Sequence, residues 1–300
     1  MENQVIVTLS SRDLRAIARE ALKGRWKEGF IVCLVYYVLM TLPAEIIASI
    51  FPVTSPAQMV GALYSLLVSG PFTFGLSLYF MSAFRKREAG YGQIFAGFEN
   101  FGKTFVLMLL MTLKIILWSL LLVIPGIIAS FRYSQAFFIL VDHPEYSASQ
   151  CIEESKRMMN GNKAKLFWLS LSFIGWELLA SIPVGIVESV HKANPVYDIP
   201  HNLLFMVLTF IAMIGIYILM PYIFQATVAM YEIMAGNLKE LISEPAEPSA
   251  EAPEHTEAVE TVEPAETSTA QAEPVVGPEI EPTPDTTVVE DVKVEWRKDD

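Results

Sequence analysis

The sequence is short of the residues on which most soluble catalysis and metal binding depend. It has two cysteines, Cys33 in an apolar run and Cys151 in a polar segment, which leaves neither a disulfide framework nor a cysteine-rich metal site. The four histidines, His143, His191, His201 and His255, are scattered, with no HExxH pair and only loop carboxylates nearby, so the pattern of a zinc hydrolase is missing. No GxSxG elbow occurs either, and the serines of the apolar runs are the small polar residues that commonly pack helices together. Charge is scarce: Asp, Glu, Lys and Arg make up 18% of the chain, below the ~25% of an average globular domain. A basic nucleic-acid footprint is lacking as well. The sequence therefore implies no cofactor, no metal, no nucleic acid and no catalytic constellation.

Apolar side chains are abundant. They make up 53% of the 300 residues, too many for an ordinary soluble domain and enough for several membrane spans. The net charge of −12 is unevenly placed. Residues 241–300 hold 17 acidic and three basic residues, a net −14, so residues 1–240 carry +2, and the acidity belongs to a tail rather than to a folded surface.

Apolar runs fall at roughly 29–51, 58–84, 104–123, 124–141, 166–187 and 203–225, each near the ~20 residues of a spanning helix. The first is too long for the ~7–15-residue core of a signal peptide and reads as a retained span. One continuous helix over 104–141 would run ~57 Å at 1.5 Å per residue, against a hydrocarbon core of ~30 Å. Pro125-Gly126 is the natural outer break, since proline suits a first helical turn. Six spans put Arg12, Arg15, Arg19, Lys23, Arg25 and Lys27, then Arg85, Lys86, Arg87 and Lys103, then Lys156, Arg157, Lys163 and Lys165 on one side, and only Lys192 on the other. The positive-inside rule makes the first side cytoplasmic. The expectation is a protein of the bacterial inner or plasma membrane with both termini inside.

Three regions follow: a cytoplasmic amphipathic leader (1–28), a transmembrane domain (29–240) and a disordered acidic tail (241–300). In the leader, Ser10 three residues before Asp13 forms a capping-box start, and Leu14, Ile17, Ala21, Leu22 and Trp26 recur at helical spacing. Arg12, Arg15, Arg19, Lys23 and Lys27 cover much of the remaining surface. Such a helix either lies on anionic inner-leaflet lipids with Trp26 at the interface or packs on the bundle, and the spacing leaves both open. Residues 142–165 read as a second cytoplasmic helix, with Pro144 in its first turn, Ala148, Ile152, Ser155 and Met159 along one face, and Asn160-Gly161 at its end. The Glu-, Pro-, Ala- and Thr-rich tail is too polar to offset its ordering entropy. Near its end Val289, Val292, Val294 and Trp296 regain an alternation suited to adding a strand to a protein partner.

The segment GFENFGKT, Gly97 to Thr104, matches the phosphate-loop pattern, and FFILVD ending at Asp142 imitates a magnesium-holding strand. A phosphate loop needs a buried strand before it and a helix with a polar face after it. Here a short glycine-interrupted stretch precedes the segment, and the apolar run 105–123 follows. Nucleotide binding is the remote alternative; an interfacial turn with Phe95, Phe98 and Phe101 against the bilayer and Lys103 snorkelling is the plainer one.

Four charges interrupt the apolar runs: Glu45, Lys114, Arg132 and Glu177. Ionisable groups in hydrocarbon are costly and face protein or water. Counted along straight helices, Lys114, Arg132 and Glu177 each lie ~15 Å from the inner edge, with Glu45 nearer the outer surface. Either they pair to fix helix register, or they line a path for an anionic ligand or ion.

The combination of LRAIAREALKGRW, GFENFGKTF, IPGIIASFRYSQAFFILVDHPE, IEESKRMMNGNKAKLFWLSLSFIGWELLA and MPYIFQATVAMYE resembles the uncharacterised bacterial integral membrane family called domain of unknown function 975. The resemblance covers roughly residues 10–235 and implies a six-helix membrane domain without an established activity or ligand. The expected fold is all-α, a polytopic transmembrane bundle of about six spans. The expected role is a non-enzymatic component that organises partners or modulates the cell envelope. The alternative is a carrier for a small or lipid-like anionic solute.

Overall fold

The computed structural model describes residues 5–51, 55–193 and 199–237. The tail expected to be disordered, and its partner-binding alternation, lie outside the described residues. Among the described residues the chain forms helices and no strand.

Helix α1 (Ser11–Ala21) begins with a reciprocal capping box. The Asp13 amide donates to Ser10 Oγ at 3.2 Å, and the Ser10 amide and hydroxyl donate to Asp13 Oδ2 at 3.0 and 2.6 Å. Its apolar face, Leu14, Ile17 and Ala18, is buried in the protein, so the leader packs on the bundle. A turn through Gly24, at φ +78°, where a left-handed backbone favours glycine, leads into α2 (Trp26–Ile50) and then α3 (Ala57–Phe84). A 3-10 turn (Tyr91–Phe98) lies directly on α3. Gly75 and Gly97 permit this approach, since a Cβ on Gly75 would overlap the Ile94 backbone and one on Gly97 the Pro71 backbone.

The 104–141 region forms a helical hairpin of α4 (Phe101–Leu121) and α5 (Val123–Tyr133), then the short α6 (Ala136–Asp142). The chain turns at Leu122, which is extended at φ −162° and ψ 150°, three residues before the expected break. Pro125 sits in the first turn of α5, where its missing N–H costs nothing, and Gly126 fits against Ser119. The polar segment forms α7 (Ala148–Met158), shorter than the helix expected over 142–165: it starts at a second capping box between Ser147 and Gln150, so Pro144 lies in the turn before the helix and not in its first turn.

The fifth apolar run is divided into α8 (Lys163–Leu171) and α9 (Ile174–Ala193), bent by 46°. The sixth, expected as one span over 203–225, is divided at Met213 into α10 (Ile199–Ala212) and α11 (Ile214–Met234). Hydropathy runs unbroken across that boundary, so composition does not mark it. Among the described residues five helical stretches are long and apolar enough to cross a membrane: Trp26–Ile47, Met59–Phe84, Phe101–Leu121, Val123–Asp142 and Ile214–Met234. The bent α8–α9 pair makes six if it counts as one span.

Among the described residues two apolar clusters hold the bundle. The larger joins Leu76, Tyr79 and Phe80 of α3 to Phe137–Leu140 of α6, Ile152 of α7 and Tyr231 of α11. The smaller lies under α1, where Leu14 and Ala18 meet Met159, Leu166, Phe173, Ala226 and Met230.

Candidate functional site

The most concentrated polar chemistry lies where α3, α6 and α11 end together. Arg85, the C-cap of α3, donates from Nη1 and Nη2 to the two carboxylate oxygens of Asp142 at 2.6 and 2.8 Å, and from Nε to Glu232 Oε1 at 2.7 Å. Tyr231 donates its hydroxyl to Asp142 Oδ2 at 2.7 Å, and Asn237 Nδ2 donates to Glu232 Oε2 at 2.8 Å. Glu232 is fully buried.

Carboxylates at helix C-termini face the negative end of the macrodipole, which is unfavourable. One guanidinium shared between Asp142 and Glu232 offsets that placement with charge-assisted bonds, one pair of them bidentate. Burial works against the Arg85 charge, and its bonds to Asp142 and Glu232 outweigh burial, holding the guanidinium's pKa above its usual range. The arrangement ties three helix ends. Among the described residues no three His, Cys, Asp or Glu side chains gather to hold a metal.

Reading the sequence placed Arg85 only in an inner basic segment and did not single out Glu232. A signal was present: the apolar segments FFILVD and VAMYE each end on an acid, at the helix end where an acid needs a cation.

The four charges within apolar runs have different surroundings. Lys114 of α4 holds its ammonium 5.9 Å from the Tyr133 ring centroid on α5, and Arg132 is the neighbour of that tyrosine in the last turn of α5. Both are half-buried and act electrostatically on Glu153 of α7. Glu177, in the first turn of α9 just after the bend, is exposed. It makes no ion pair with Lys114 or Arg132. Glu45 is also exposed, on α2 after Pro43.

The leader's cations are divided between protein and surface. Arg15 donates to the Ser172 carbonyl at 3.3 Å and lies over the Phe173 ring, and Arg19 donates to the Tyr222 hydroxyl at 2.9 Å. Trp26 packs on the Tyr222 ring, with centroids 5.9 Å apart. Lys23 pairs with Glu20 at 3.4 Å, and Arg12, Lys23 and Lys27 are exposed.

In the GFENFGKT segment, Gly97 belongs to the 3-10 turn on α3 rather than to a strand-fed loop. The Thr104 hydroxyl, which a nucleotide site would direct to magnesium, lies 3.1 Å from the carbonyl oxygens of both Gly97 and Phe101 and shares its one hydrogen between them. Lys103 donates to the Pro144 carbonyl. Phe98 packs edge-on against Phe72 and stacks with Phe101, and Phe95, Phe98 and Phe101 are exposed. Elsewhere, an open cleft of about 620 Å³ is lined by Arg25, Glu28, Glu88, Gly90, Gly92 and Gln93. Cys151 is buried against the bundle, and burial pushes its thiol up to about 11.

Among the described residues the fold and site define an all-helical bundle with five or six helical stretches long and apolar enough to cross a membrane, braced by an internal ion-pair junction. The chain belongs to the family described as protein of unknown function, DUF975, which matches residues 8–125 and 119–237. No curated protein and no solved structure matches it.

Proposed function

We propose that the protein is a multi-pass component of a bacterial inner or plasma membrane, with N-in and C-in topology, that acts without catalysis by organising partners or modulating the envelope. The observation that carries this reading is the Arg85–Asp142–Glu232–Tyr231 junction. It bridges residues far apart in sequence and ties one end of α3, α6 and α11 together. Separating those helix ends would leave a fully buried carboxylate without its cation, so the bundle is suited to a fixed platform rather than to halves that rock apart. Helices that all run inward also bring their C-termini to one face, in keeping with the charge asymmetry of the connecting segments. The exposed Arg12, Lys23, Lys27 and Trp26 then meet anionic inner-leaflet lipids, and the acidic tail is the part that reaches a protein partner.

The second reading, a carrier for an anionic solute, draws on the cations Lys114 and Arg132. A disulfide engineered between the ends of α3 and α11, tested by solute uptake into reconstituted vesicles and by envelope integrity in cells, separates the two. A platform gives no flux above empty vesicles and keeps its cellular phenotype when cross-linked. Flux that the cross-link abolishes would replace the platform with a carrier.

A further inference from the structure

We infer that Lys114 and Arg132 form a binding site for the phosphate group of an anionic phospholipid. The site is separate from the leader's surface cations, and it rests on the membrane placement proposed above.

The Lys114 ammonium has the Tyr133 ring as its partner, and neither Lys114 nor Arg132 makes a side-chain hydrogen bond or ion pair among the described residues. Arg132 Nε is buried and has no acceptor there. The carboxylate that feels both cations, Glu153, is bonded to Lys156 at 3.0 Å. Two positive charges on adjacent, packed helices are thus left without a matching anion, and cations inside apolar segments are costly unless paired.

The α4–α5 hairpin presents Leu113, Leu117 and Ile128 outward, 59%, 67% and 46% exposed, whereas α7, packed against both helices, presents Glu153, Lys156 and Arg157. Apolar surface therefore meets charged surface beside Lys114 and Arg132. In a bilayer that boundary is where acyl chains give way to headgroups, so α4 and α5 dip in from the inner face as a hairpin that reaches ~12 Å beyond Lys114 rather than as two full spans, and both termini stay on the inner side. The exposed rings of Phe167, edge-on to Phe131, and Trp168 lie on the adjoining α8 and fit an interfacial aromatic belt.

A phosphodiester supplies the missing anion. The guanidinium can grip its oxygens in bidentate fashion, while the ammonium acts as a point charge beside it. The apolar hairpin favours a lipid over free phosphate, because acyl chains cover the leucine and isoleucine side chains that inorganic phosphate leaves bare.

The test uses the full chain in nanodiscs containing phosphatidylglycerol and phosphatidylcholine, with lipid retention read by native mass spectrometry. Wild type should retain phosphatidylglycerol preferentially. Lys114→Gln and Arg132→Gln should each weaken that retention about fivefold, the equivalent of ~1 kcal/mol per interfacial cation. Lys114→Arg should preserve it, and Lys192→Gln, which removes an exposed cation from α9, should leave it unchanged. If Arg132→Gln does not fold, the Lys114→Gln and Lys114→Arg pair decides the matter alone. Equal retention by Lys114→Gln and Lys192→Gln would overturn the site, and displacement by millimolar inorganic phosphate would overturn the lipid assignment. Release of the chain from membranes by alkaline washing would overturn the membrane placement and the site with it. An embedded chain without lipid preference overturns the site alone.

Discussion

Helices α9 and α11 are both about twenty residues long and interrupted by proline, yet they hold to the bundle in different ways. α9 has no fully buried residue, and Trp176, Leu178, Leu179, Ile182 and Ile186 are exposed along it. α11 buries a nearly continuous stretch from Gln225 to Met234 and ends in the junction with Arg85. Hydrocarbon is as apolar as a leucine side chain, so greasiness alone does not drive helices together in a bilayer; close packing and polar contacts do. The difference teaches that the α3–α6–α11 end is held by specific contacts, whereas α9 is held by little more than its neighbours' shape.

The strongest way to break that contrast is Arg85→Ala. It leaves Asp142 and the fully buried Glu232 without a cation, and losing one partner of a buried pair costs about 3–5 kcal/mol. Thermal unfolding in detergent should show this as the largest loss in the molecule. Arg85→Lys keeps the charge but not the planar fork and should recover part of the stability. Glu177→Gln on α9 should change almost nothing.

Glycine-to-alanine substitutions sharpen the contrast, because the same methyl group should act with opposite sign in the two regions. On Gly97 it would overlap the Pro71 backbone, and on Gly75 the Ile94 backbone; overpacking of this kind costs about 1–3 kcal/mol, and the upper end is expected where backbone opposes it. On Gly175 it meets nothing within 4 Å, so the helix preference for alanine should stabilise α9 by up to about 1 kcal/mol. Unfolding midpoints of the three variants, measured side by side, check both signs. A loss at Gly175 equal to that at Gly97 would show that α9 is as tightly packed as the α3 face.

Much of this fold was legible in the sequence, because helices long and apolar enough to cross a membrane announce themselves by length and hydropathy, and α1 by its capping box; the Ser147–Gln150 box that starts α7 went unread behind Pro144. The breaks at Leu122 and Met213 were harder to place, since apolar residues continue through both and no charge marks either end. Lys114 and Arg132 were visible as charges in apolar runs; their shared surroundings, Tyr133 and Glu153, depend on how α4, α5 and α7 pack. Glu177 was set level with Lys114 by counting along a straight helix from Leu166, and that count does not carry through the 46° bend before it. The Arg85 junction was hidden because its partners lie 57 and 147 residues away.

The thiols give a further, smaller comparison. Cys33 and Cys151 are both buried, and Cys151, raised to about 11 by burial, is almost wholly protonated at pH 8. Since the thiolate is the nucleophile, maleimide should label Cys151 slowly in the native protein and fully after unfolding in SDS. Fast native labelling of Cys151 would mean that α7 lifts from the α4–α5 hairpin, taking the tight region's outer wall with it.

The smallest effect concerns the leader. Ser10→Ala removes the cap of α1 and should cost about 1 kcal/mol, read as faster hydrogen exchange confined to α1. Hydrogen bonds from the Ser10 side chain and backbone hold the Asp13 carboxyl below its ordinary value. The folded pKa is therefore the lower of the two, so the stabilisation is present above the usual carboxylate value of ~3.9 and is lost as pH falls through the lowered one. Asp13→Asn should remove that acid dependence while leaving exchange in α3 and α6 unchanged. If instead exchange spread from α1 into the Arg85 junction, the leader would be a structural part of that junction, because α1 lies along the same segment of α11 that ends at Glu232.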